Sequence, residues 1–194
     1  MKQTPSTGRY WLIGIVAVVV LVLLWMFGTY NSLVTLQENT KSSWADVETQ
    51  YQRRADLIPN LIETVKGYAS HEKTLFEEVA KMRSAWAGAK QSGIDAQIAA
   101  AKGLDGALGR LIAVAENYPV LKASENFKTL QDQLEGTENR VAVARTRYND
   151  MVREFNTKIQ RVPGNIVAGW FGFSAKTYFE AEAGSEKVPQ VKFT

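Results

Sequence analysis

From Tyr10 to Tyr30 the chain runs 21 residues without a charge, and none appears until Glu38. At 1.5 Å per residue, about 20 helical residues cross the roughly 30 Å hydrocarbon layer of a bilayer. Only a backbone that satisfies its own N–H and C=O groups is stable there, so the run is predicted to be a helix. Its core, residues 11–27 (WLIGIVAVVVLVLLWMF), contains only Gly14 and Ala17 as small residues. Tyr10 and Trp11 at one end, with Trp25, Phe27 and Tyr30 at the other, match the aromatic belts of membrane interfaces. A cleaved signal peptide would have a shorter apolar stretch, about 7–15 residues, and a small-x-small site at its end. The segment MFGTYN offers none, so an uncleaved signal anchor is expected. Gly14 is followed four residues later by Val18, so the span advertises no tight dimer motif.

The formal net charge is +3, and that excess sits mostly ahead of the span. With Lys2 and Arg9 set aside, 21 basic residues face 20 acidic ones. So nearly neutral a body lacks the clustered basic face of a nucleic-acid binder, and no nucleic-acid partner is expected. Lys2, Arg9 and the terminal amine precede the span, whereas only Lys41 follows it before Arg53. The positive-inside bias therefore favours a cytoplasmic N-terminus and an exported body, with the reverse topology left open.

Beyond the span, apolar side chains recur at alternating steps of three and four. The series runs through Leu33, Leu36, Thr40, Trp44, Val47, Tyr51, Ala55, Ile58, Leu61 (or Ile62), Val65 and Tyr68, then Leu75, Val79, Met82 and Trp86. This is the seam of a helix packed against other helices. Pro59 interrupts it without changing its phase, which predicts one helix kinked near Pro59 whose halves count as two rods. A second helix is predicted over 94–117, ended by Pro119; Gly103, Gly106 and Gly109 inside it make it the weakest of the set, and close packing of a neighbouring backbone is expected to accommodate them. A third keeps its spacing from Phe127 to Val162 and stops at Pro163. No stretch before 163 alternates with period two. The expected fold class is all-α: a transmembrane helix followed by an antiparallel bundle of long helices. The domains are a stub at 1–9, the anchor at 10–30, the bundle at 31–162 and an aromatic-rich extension at 163–194.

Chemistry is sparse. The absence of cysteine removes disulfides, thiol nucleophiles, iron–sulfur clusters and thiolate zinc sites, and one histidine, His71, cannot furnish a di-iron bundle. No G-x-S-x-G, P-loop, G-x-G-x-x-G or H-E-x-x-H pattern occurs. Neither a catalytic residue, a cofactor nor a metal is expected. Two polar sets interrupt the seams. One gathers Arg53, Arg54, Asp56, Asn60 and Glu63 with Gln52; the other gathers Glu138, Asn139, Arg145, Tyr148 and Asn149 with Asn156. Ion pairs and amide bonds that fix the register of the bundle are the favoured reading, and a binding groove is the alternative. The last 32 residues hold six aromatics, Trp170, Phe171, Phe173, Tyr178, Phe179 and Phe193. Such a segment is too apolar for a solvated tail. It packs on the bundle, lies on the membrane surface or mediates self-association, the first being favoured.

Several blocks of this chain, 30–34 (YNSLV), 52–61 (QRRADLIPNL), 63–68 (ETVKGY), 116–119 (ENYP), 137–139 (TEN) and 178–180 (YFE), make it resemble the LemA family of bacterial membrane proteins. The resemblance covers about residue 25 to the C-terminus, and the RRADLIPNL block is its specific part. It implies a membrane-anchored, mostly antiparallel helical bundle and no established enzymatic activity. A branch associated with magnetosome membranes leans toward membrane organisation, and a short outside N-terminus has been described for the family, which is the reverse topology. The function expected is non-enzymatic: a protein that self-associates, as a homo-oligomer, or scaffolds partners at the surface of a lipid bilayer. A regulatory adaptor for another membrane protein, such as a protease or an envelope-stress sensor, is the alternative.

Overall fold

A computed structural model of the chain describes residues 7–180, with side chains from residue 10 onward. The predicted stub at 1–9 therefore lies largely, and the end of the predicted extension with Phe193 wholly, outside the described residues. Six helices follow one another among the described residues: α1 (Thr7–Lys66), α2 (Lys73–Ala89), α3 (Ile94–Ala115), α4 (Pro119–Ala123), α5 (Glu125–Gln160) and α6 (Gly164–Phe171). No strand occurs among the described residues, so the fold is all-α. Residues 7–42 with 150–176 form one compact unit, and residues 43–149 with 177–180 form another. Helices α1 and α5 contribute to both.

In the second unit the α1 seam buries Trp44, Val47, Tyr51, Ala55, Ile58, Leu61 and Val65, all predicted from the spacing. The phase then slips. Tyr68 is exposed and Ala69 is buried instead. The single helix expected to reach Trp86 ends at Lys66, and a turn over 67–72 separates it from α2. Gly67, Ser70 and His71 are weak helix formers clustered at one place, which is enough to end the helix there. The amides of Tyr68 and Ala69 instead close back onto the Val65 carbonyl at 3.0 and 2.9 Å. The first two rods are thus separate helices and not halves of one helix divided at Pro59.

Pro59 lies inside α1 without ending it. Lacking an N–H, it leaves the Ala55 carbonyl, four residues earlier, without its helical donor. Arg83 of α2 fills the gap, its Nε donating to the Ala55 carbonyl at 3.1 Å. Arg83→Ala is therefore expected to destabilise by about 1 kcal/mol. In a Pro59→Ala background, where a backbone N–H is again present, the same change is expected to cost clearly less. A double-mutant cycle by urea unfolding of the full chain in mild detergent measures the difference; additive costs would refute the link.

Helix α3 packs Ile98, Ala101, Leu104, Leu108, Leu111 and Ala115 inward as predicted. The glycines within it do not admit a neighbouring backbone. A Cβ at Gly103 would meet the Met82 Sδ of α2 at 3.1 Å, and one at Gly109 would meet nothing within 4 Å. Pro119 does not end α3, which stops at Ala115; it opens α4, where its missing N–H costs nothing. Helix α5 begins on Ser124, whose Oγ accepts from the Phe127 amide at 3.4 Å, and buries Phe127, Leu134, Val141, Ala144, Tyr148, Val152 and Phe155.

In the first unit, α1 carries the one stretch among the described residues that is long and apolar enough to cross a membrane. Its side chains from Tyr10 to Trp25 are exposed. After that stretch, Leu33 forms a small core with Val167 and Ala168 of α6, against which Met26, Tyr30, Ile159 and Phe173 pack. Gly164 begins α6 where a Cβ would collide with the Lys158 carbonyl, so only glycine lets the chain fold back this closely onto the end of α5. Gly172 ends α6 with a positive φ of 73°, and the Phe173 amide bonds to the Ala168 carbonyl at 3.0 Å. Past α6 the chain is extended. Its Lys176 backbone pairs with the Asn156 amide through both groups, at 2.8 and 2.9 Å.

Candidate functional site

The densest polar constellation lies in the second unit, where three helices meet around Asp105 of α3. Tyr51 of α1 donates its hydroxyl to Asp105 Oδ2 at 2.7 Å. Arg54, one turn further along α1, contacts Asp105 Oδ1 at 3.0 Å and also pairs with Glu138 of α5. Arg145, two turns after Glu138, pairs with Asp105 and donates to the Tyr51 hydroxyl. Two guanidinium groups thus face two carboxylates, and the constellation is neutral overall. The Arg54 side chain is 9% exposed and that of Asp105 20%, while Glu138 is 49% exposed. The buried end of the network is therefore the Arg54–Asp105–Arg145 end.

An aromatic box sits against it. Arg145 lies over the ring of Phe179, its Cζ 4.3 Å from the centroid, and over Tyr51 at 5.3 Å. Phe179 stacks on Tyr51 and Trp44 with centroids 6.2 and 6.4 Å apart. Trp44 meets Tyr148 edge-on at 5.0 Å, and its Nε1 donates to the buried Gln97 Oε1 at 2.7 Å. Asn149 holds the Phe179 backbone through both amide groups, at 2.8 and 2.9 Å, and Tyr148 donates to the Thr177 carbonyl at 2.8 Å. Burial, and after it the Asp95 carboxylate, push the Tyr148 phenol up to about 12, so it stays a neutral donor across the physiological range.

The two polar sets singled out in the sequence are divided by this geometry. Arg54, Glu138, Arg145, Tyr148 and Asn149 are drawn together around Asp105 and the tail. Arg53, Asp56, Asn60 and Glu63 are exposed on the other side of α1. Asp56 accepts from Gln52 at 2.7 Å and Glu63 pairs with Lys66 at 2.9 Å, both within one helix. Arg53 and Asp56 line an open cleft of about 570 Å³ with Thr137 and Arg140, and Asn139 lines another of about 360 Å³. Of the aromatic set, Phe179 is buried in the second unit, Phe173 is half-buried in the first, and Trp170, Phe171 and Tyr178 are exposed. Sequence reasoning missed Asp105, Gln97 and Arg83. Asp105 was detectable: it lies four residues after Ala101 and three before Leu108, a carboxylate at the edge of an apolar seam.

Chemically this arrangement is a tie. The Asp105 carboxylate is taken up by Arg54, Arg145 and Tyr51, which leaves no activated nucleophile or poised base. His71 is exposed in the turn between α1 and α2. No group of three or more His, Cys, Asp or Glu that could hold a metal occurs among the described residues.

Residues 43–193 match the family model described as LemA family. The chain is 29% identical over 181 residues to magnetosome protein MamQ 2 of Paramagnetospirillum magneticum, covering 81% of this chain and 66% of that one. It is 29% identical over 189 residues to magnetosome protein MamQ of Magnetospirillum gryphiswaldense, covering 84% and 70%. It is 24% identical over 145 residues to protein LemA of Metamycoplasma hominis, covering 73% and 64%. The chain thus spans about two thirds of the length of these relatives.

Proposed function

The chain belongs to the LemA family, and from that premise we propose that it is a non-enzymatic, membrane-anchored helical bundle that self-associates or scaffolds partners at the bacterial membrane surface. The observation that carries this reading is the uncharged run of α1, exposed from Tyr10 to Trp25 and continuous with the rest of a 60-residue helix. Exposed apolar side chains on that scale are stable only in lipid or against another chain. The polar constellation supports the non-enzymatic part, because its charged groups are spent on one another across three helices. Relatives described as magnetosome proteins fit a role in membrane organisation. The inner membrane, with the N-terminus cytoplasmic and the body exported, is the location proposed.

Solubilising the full chain in mild detergent and measuring its mass tests the reading. An oligomer, or a stoichiometric complex with another membrane protein, is the expected result. A strict monomer that captures no partner defeats it. Crosslinking in cells separates the scaffold from the regulatory adaptor: a foreign partner at one-to-one stoichiometry favours the adaptor.

A further inference from the structure

Helix α6 has no charged side chain among its eight residues. Its inward face, Gly164, Val167 and Ala168, packs on Leu33 of α1. Its outward face shows large apolar side chains beside one polar residue, the exposed Asn165. Ile166 is 46% exposed and Trp170, one turn further on the same side, 72%, and Val162, just ahead of the helix, is 75% exposed. A surface helix in water turns mostly polar residues outward, and one that presents large apolar side chains there belongs against another surface or in lipid. The place of α6 decides between these. Phe171 lies 4.6 Å and Phe173 5.8 Å from the ring of Tyr30, which closes the uncharged run, and Met26 within that run packs on the same small core. Helix α6 is therefore fastened to α1 at the level where the span leaves the hydrocarbon. Exposed Lys158 and Arg161 adjoin its N-terminus, and neither makes an ion pair among the described residues; such cations suit headgroup phosphates.

We propose that α6 is a second, interfacial membrane contact, with Val162, Ile166 and Trp170 seated in the headgroup–acyl boundary beside the emerging span. This rests on the anchor reading above. A bilayer that accepts residues 10–30 already places its headgroup layer against α6, so lipid is the occupant that requires no further association. The close fit of Gly164 on Lys158 fixes the direction in which the face points.

The chain has no cysteine, so single-cysteine variants of the full protein carry one spin label each. The protein is reconstituted in phosphatidylcholine–phosphatidylglycerol vesicles with labels at Ile166→Cys and Trp170→Cys. Leu21→Cys in the span serves as the lipid reference. Ser42→Cys, exposed on α1 and about 18 Å past Tyr30 along the helix, serves as the water reference. The readout is the ratio of collisions with oxygen to collisions with a water-soluble nickel chelate. Ratios at 166 and 170 several-fold above that at 42 and below that at 21 are expected. Ratios equal to that at 42, with 21 still lipid-facing, overturn the interfacial contact and leave the anchor standing. A water-like ratio at 21 overturns the anchor and the contact together. Dipolar broadening at 170 that disappears on dilution with unlabelled protein assigns the face to a second copy, which also overturns the proposal.

Discussion

Asp105→Asn is expected to destabilise the second unit by about 3 kcal/mol, measured as a lowered urea midpoint of the full chain in mild detergent with an unchanged slope. Breaking a buried ion pair by removing one partner costs about 3–5 kcal/mol, because the remaining charge is stranded away from water. Here two guanidinium groups lose their shared carboxylate. Arg54 is the more buried, and its other carboxylate, Glu138, is half exposed. Arg145 keeps the faces of Phe179 and Tyr51. Those residual contacts, with the 20% exposure of Asp105, place the cost at the lower end of the range. Glu138→Gln is expected to cost under about 1 kcal/mol, since its charge is solvated in both states. Replacing Asp105 together with both Arg54 and Arg145 by leucine is expected to recover much of the loss, as no buried charge is then left without its partner. If Asp105→Asn and Glu138→Gln proved equal, Asp105 would not be the hub of the network.

Much of this was legible because helix packing has one period and the chain keeps it. From Trp44 to Val65, and from Phe127 to Phe155, the spacing names the buried residues, since each apolar side chain has nowhere else to go on a helix flanked by others. Legibility stops where the deciding partner is far away in sequence. The slip from Tyr68 to Ala69 follows from the turn at Gly67, across which the apolar spacing runs on although the helix has ended. That Pro59 stays inside a helix depends on Arg83, 24 positions later, which no local rule supplies. The site shows the same limit. Arg54 and Arg53 are neighbours in a charged block, and only the helical rotation of about 100° between them sends one inward and the other to solvent. Asp105 joins Tyr51, Arg54 and Arg145 from a third helix, a pairing that composition and spacing leave undetermined.

The tail offers the sharpest contrast between what an aromatic residue promises and what its surroundings make of it. Trp170 and Phe179 look alike in a list of aromatics, yet one is 72% exposed and the other 4%. The difference is the backbone. Asn149 pairs with both polar groups of Phe179, which removes the cost of burying an extended segment without a sheet partner and lets the ring reach Tyr51, Trp44 and Arg145. Phe179→Ala is accordingly expected to cost about 3–4 kcal/mol, the range for a fully buried phenylalanine whose site cannot collapse onto flat neighbouring rings. Asn149→Ala should cost about 1–3 kcal/mol through the orphaned Phe179 amide and carbonyl. The two changes act through one docking event, so the double variant is expected to fall well short of their sum. Limited proteolysis supplies the second readout: either single change should hasten cleavage next to residue 179 before the helices yield. A Phe179→Ala protein with an unmoved urea midpoint would mean that the tail contributes nothing to holding Tyr51 and Arg145 in place.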